Sequence, residues 1–135
     1  MKTKALSVVF FISILVLFSC SGRDNEIQND DAFILSPIDV SQLQISSPVK
    51  NETLEPGTAL KIKWFFPQNI TTVQISLYRK SEFKQLLSVK TNNTGSYDWI
   101  IPPDFKNSVH YRIKIAVYDN PAINKFSDYF FVTSR

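Results

Sequence analysis

The chain has 135 residues, 44% of them hydrophobic, with 15 Lys and Arg against 12 Asp and Glu and a formal net charge of +3. That is one domain of ordinary size, with enough apolar material for a core of its own. The basic residues are not gathered into a stripe, which excludes a nucleic-acid footprint, and one cysteine with one histidine leaves no metal-ligand set and no disulfide pair.

The chain opens with two lysines, Lys2 and Lys4, and then runs apolar from Ala5 to Phe18, interrupted by Ser7 and Ser13. That run of about 14 residues falls short of the roughly 20 that a bilayer-spanning helix needs. A basic start, a short apolar stretch and a small residue (Ser19) before a cut are the anatomy of a secretion signal, here residues 1–19.

Leu17-Phe18-Ser19-Cys20 resembles the lipobox of bacterial lipoproteins. The resemblance implies that the Cys20 sulfur, the nucleophile toward a lipid donor, carries a diacylglyceryl group and that Cys20 becomes the acylated first residue. It also implies a membrane partner and a place in the cell envelope, at the outer membrane. With Cys20 so used, no thiol remains for a disulfide, a metal site or a nucleophile. Residues 20–42 then form a tether. From Ser21 to Gln42 one base, Arg23, faces five acids, Asp24, Glu26, Asp30, Asp31 and Asp39. A polar acidic segment without helical periodicity reads as disordered linker. It either resembles the surface-export signal of some outer-membrane lipoproteins or serves as a solubilising spacer.

From Leu43 the pattern has period two. Leu60, Ile62 and Trp64 alternate with Lys61 and Lys63; Val73, Ile75 and Leu77 alternate with Gln74, Ser76 and Tyr78. Tyr111, Ile113, Ile115 and Val117 alternate with Arg112, Lys114, Ala116 and Tyr118. Such alternation marks half-buried strands, and Pro and Gly clusters separate them. Seven strands are expected: Leu43–Ser46, Ala59–Trp64, Val73–Arg79, Lys84–Val89, Ser96–Ile100, Tyr111–Tyr118 and Asp128–Thr133. The predicted fold is therefore all-β, a seven-stranded antiparallel immunoglobulin-like sandwich over residues 43–135, without a disulfide. Ile62 and Ile113 stand near the positions of the usual bridge, and Tyr111, two residues before Ile113, suits a tyrosine corner.

The segments LQISSPVKNETLEPGTALKIKW, VQISLYR, TGSYDWIIP, HYRIKI and SDYFFV follow the order and spacing of one known module. They resemble the immunoglobulin-like domain of the Ser/Thr-rich, GPI-anchored surface proteins that include yeast cell-wall glucan-assembly proteins. The resemblance covers about Leu43 to Val132 and implies a module carried on an exported, surface-attached chain, attached here at Cys20. It also implies a core position for Trp99.

Candidate sites follow from the alternation. Trp64 and Trp99 each share a face with apolar neighbours and are expected in the core. His110 lacks orienting partners or further ligands nearby in sequence, and Asp98 and Asp104 lack the contrasting environments of an acid–base pair. No catalysis, cofactor or metal is expected. Asn51, Asn69 and Asn92 head glycosylation-type triplets that turn chemistry also explains. In the immunoglobulin topology the third, sixth and seventh strands are neighbours. Their outward residues are Tyr78; Arg112, Lys114 and Tyr118; and Tyr129 and Phe131. Aromatic rings interleaved with Arg and Lys suit an interface, and simple alternation makes Tyr78 and Tyr118 dispensable for stability. The expected function is a lipid-anchored, non-catalytic envelope module that contacts a protein partner through this face. The alternative is a polysaccharide-binding accessory lipoprotein of a glycan uptake or assembly system. The loops Asn92 to Gly95 and Asp119 to Phe126 are the next candidates for binding.

Overall fold

The computed structural model describes residues 37–134. The signal segment, Cys20 and the tether up to residue 36 lie outside the described residues. Asp39 caps a single 3-10 turn, Val40–Gln42. Its carboxylate accepts hydrogen bonds from the hydroxyl and backbone N–H of Ser41 and from the Gln42 amide, which hold it below the usual carboxylate range. Ile38, just before this turn, already packs on the core.

Among the described residues nine strands follow: β1 (Gln44–Ser47), β2 (Thr53–Leu54), β3 (Ala59–Phe65), β4 (Thr72–Arg79), β5 (Glu82–Asn92), β6 (Ser96–Ile100), β7 (Ser108–Val117), β8 (Asn120–Phe126) and β9 (Phe130–Val132). One sheet has the order β1-β3-β6; the other runs β2-β9-β7-β4-β5, with β8 also lying against β7. The fold is thus an all-β, two-sheet sandwich of immunoglobulin-like order. Alternation places the core as expected: Leu60, Ile62 and Trp64 of β3 are buried while Lys61 and Lys63 are exposed.

The expected count of seven is corrected to nine, and the two additional strands have separate causes. β2 is two residues long, too short for any alternation to register. It pairs with β9 in parallel (Thr53 with Phe131, Leu54 with Val132), so the sandwich is not wholly antiparallel. β8 occupies the segment Asp119 to Phe126 that turn-forming residues mark as a loop. Pro121 is tolerated because β8 is an edge strand, where a missing N–H removes no ladder bond.

β9 lies within the expected seventh strand, β8 precedes it along the same side of β7, and Ser127 is the joint. Its backbone N–H donates to the Ile113 carbonyl at 2.8 Å, and its hydroxyl accepts from the Ile113 N–H at 2.9 Å. A side-chain oxygen there stands in for the carbonyl that the irregular ladder removes, which explains a buried serine among apolar neighbours.

Ile62 and Ile113, near the positions of the usual disulfide, are fully buried, so packing replaces the covalent bridge. The Tyr111 hydroxyl donates to the Lys106 carbonyl at 2.8 Å, closing a tyrosine corner across five residues. Burial pushes this phenol above its ordinary pKa.

Asn93 does more than any turn residue was expected to do. Its side-chain oxygen accepts from the Trp64 indole N–H at 2.7 Å. Its amide nitrogen lies 3.2, 3.2 and 2.9 Å from the carbonyls of Phe66, Pro67 and Ile70. One side chain therefore satisfies a nearly buried indole and pins the whole β3–β4 connection. Gly95 closes the same corner at φ +84°, where an added Cβ would stand 3.1 Å from the Trp64 carbonyl. Replacing Asn93 by alanine strands these groups, and a buried donor left without a partner costs about 1–3 kcal/mol. The expected result is a melting temperature lowered by several degrees, read in a thermal melt. An unchanged melt would contradict this role.

Candidate functional site

The outward side of the larger sheet is built by register. Phe83 of β5 stands opposite Tyr78 of β4, and Tyr78 stands opposite Arg112 of β7. On the far side of β7, Lys114 faces Phe126 of β8. These pairings bring together residues drawn from four strands. The Tyr78 ring meets Phe83 edge to face at 5.7 Å and Phe126 at 5.2 Å. The Arg112 guanidinium lies 4.0 Å from the centre of Phe126 and 5.4 Å from that of Tyr129. The Lys114 ammonium is 5.7 Å from Phe126 and 5.9 Å from Tyr78. His110 closes the row, its ring 5.9 Å from Tyr129.

Arg112 is aimed rather than free. Its Nε donates to the Lys80 carbonyl at 3.0 Å, which leaves the flat cation over the Phe126 ring. Among the described residues, the ion pairs join Lys61 to Asp98 (3.6 Å) and Lys84 to Glu82 (2.6 Å). The Lys84 ammonium keeps the Glu82 carboxyl below its usual range. Arg112 and Lys114 thus rest on π-faces, not on carboxylates, a contact worth about 0.5–1 kcal/mol at exposed sites. Beside the cluster lies an open groove of about 480 Å³ lined by Arg79, Lys80, Ser81, Glu82, Ser108 and His110.

Four of the expected face residues, Tyr78, Arg112, Lys114 and Tyr129, come together here. Tyr118 does not join them. It sits six positions beyond Arg112 on the β7 side of the hairpin, about 20 Å away at strand rise, under the Lys90 ammonium at 4.3 Å. Phe131 is half-buried and faces Thr53 of β2. Phe83 and Phe126, not expected in the site, are central to it. Reading Lys80-Ser81 as the two-residue turn of a hairpin would have placed Phe83 opposite Tyr78; Pro121 hid the strand that carries Phe126.

One expectation about energetics also changes. Tyr78 packs between two rings, and each such pair is worth about 0.5–1.5 kcal/mol, so its truncation is not neutral. Both tryptophans are in the core, Trp64 at 5% and Trp99 at 8% exposure. Asp98 is tied to Lys61, while Asp104 lies in the turn after Ile101. Among the described residues no group of three or more His, Cys, Asp and Glu could hold a metal ion.

A family model described as the Kre9/KNH-like N-terminal Ig-like domain matches residues 47–132. The chain belongs to that family. The Kre9/KNH-like module spans the end of β1 to the end of β9, and the whole aromatic and cationic cluster falls within it. Among solved structures it is similar to the fibronectin(III)-like modules of Clostridium thermocellum CbhA, at 18% identity and a TM-score of 0.43 over 67% of this chain and 93% of that one. No curated protein matches the chain. A Kre9/KNH-like module of this architecture is compatible with a non-catalytic binding or scaffolding role.

Proposed function

We propose that the protein is a bacterial lipoprotein, anchored through Cys20 in the cell envelope, whose sandwich holds a protein partner on the outer face of its larger sheet and performs no catalysis. The lipobox-like Leu17-Phe18-Ser19-Cys20 supports the anchor. The observation that carries the binding reading is Arg112, held by the Lys80 carbonyl over Phe126 and Tyr129 with no carboxylate partner among the described residues. Tyr and Arg in such mixed clusters are the residue types most often found as interface hot spots. The partly exposed Tyr129 and Phe83 rings offer the contact surface around it.

The test is the double change Arg112→Ala/Tyr129→Ala in the full lipoprotein, with Tyr118→Ala as the control outside the cluster. Loss of a desolvated hot spot costs about 2 kcal/mol or more of affinity, near thirtyfold, so the double variant should no longer capture the envelope partner that wild type and Tyr118→Ala capture. Retained capture by a folded double variant rejects the face. Glycan binding by the wild type that this variant alone loses assigns the same face to a polysaccharide.

A further inference from the structure

Among the described residues β5 is the longest strand, with 11 residues, and it ends the strand order of its sheet, paired to β4 on one side. The other open edges are shorter: β8 has 7 residues and carries Pro121, β6 has 5, β1 has 4 and β2 has 2. Along β5, Phe83, Leu86 and Val89 are 52%, 39% and 59% exposed. A long edge with exposed apolar side chains is a template for another strand. Its Leu87 carbonyl already accepts from the Tyr97 hydroxyl of β6 at 2.9 Å, so an added strand must find its main-chain partners elsewhere along β5.

Charge narrows the occupant. Lys80 stands at the turn into β5, Lys84 and Lys90 lie on it, and Glu82 is the one acid in the strand. That carboxylate is already bound to Lys84 at 2.6 Å. Antiparallel self-pairing of a second copy centred on Leu87 sets Lys84 opposite Lys90 twice, and like charges directly opposite are destabilising, so that register does not favour a dimer. A polysaccharide has no peptide groups with which to extend a sheet. We infer that β5 receives an extended, acidic segment of a partner polypeptide as an added strand, with main-chain hydrogen bonds for affinity and the lysines for selection. The edge shares Phe83 with the cluster on the sheet face, but strand addition uses the main chain of β5 and needs neither Arg112 nor Tyr129.

The probe is a synthetic capped peptide alternating Glu and Val, about eight residues long to cover most of the edge at roughly 3.3 Å per residue, titrated into the full lipoprotein in detergent micelles. Saturable binding is expected, with slowed amide exchange in β5. It should weaken about tenfold or more when alternate peptide nitrogens are methylated. A comparable loss is expected for Leu86→Asp/Val89→Asp, whose side chains are exposed, while Tyr129→Ala should bind as wild type. Equal binding of the methylated peptide, or of its Lys-for-Glu counterpart, overturns the inference, and the methylation arm needs no variant to fold. So does exchange protection on another edge, equal competition by polygalacturonate, dimerisation through β5, or an equal loss in Tyr129→Ala.

Discussion

Replacing Trp99 by alanine is expected to lower the stability of the sandwich by about 3–5 kcal/mol, the usual cost of deleting a large buried ring. The ring is 8% exposed and meets Phe105 edge to face at 5.6 Å; Phe105 in turn lies 5.0 Å from Tyr111. Removing the indole opens a void at one end of the core and takes the support from the loop that carries the tyrosine corner. A domain of this size often has only about 5–15 kcal/mol in hand, so the variant should sit close to unfolding at physiological temperature. Chemical denaturation of a chain beginning at Ser21 reads this directly. A midpoint equal to wild type would mean that the ring contributes nothing to the core.

Cys20→Ala is expected to move the protein out of the membrane altogether. Each buried methylene of an acyl chain is worth about 0.8 kcal/mol, and stable anchoring takes more than one chain. A lipidated Cys20 with several chains therefore holds the protein in the membrane pellet and the detergent phase, while the alanine variant stays soluble. The measurement is detergent partitioning of the two proteins expressed with their own signal. Equal retention of the variant would remove the lipoprotein reading and leave an uncleaved apolar segment as the attachment.

Trp99 and Cys20 are both marked in the sequence by what stands beside them, an apolar strand face for the one and an apolar run for the other. The strands β3, β4 and β7 are legible in the same way, because each carries a full alternation with one apolar face. The tyrosine corner is legible because one aromatic residue stands at a set distance from a core position. Asn93 is not: its chain position is that of a turn residue, and the three carbonyls and indole it satisfies lie 23 to 29 residues away. Ser127 is hidden likewise, its hydroxyl completing a ladder 14 residues distant.

The candidate site divides along the same line. Alternation decides which side of a sheet a residue faces, since successive side chains on a strand point to opposite faces. That placed Tyr78, Arg112, Lys114 and Tyr129 outward from sequence alone. Alternation carries no information on which outward residues stand side by side. That depends on hairpin length, on the register shifts within the β4–β5 and β7–β8 pairs, and on the strand β8 behind Pro121. The tertiary structure therefore decided that Phe83 and Phe126 complete the cluster and that Tyr118 lies outside it, because register is a relation between segments distant in the chain.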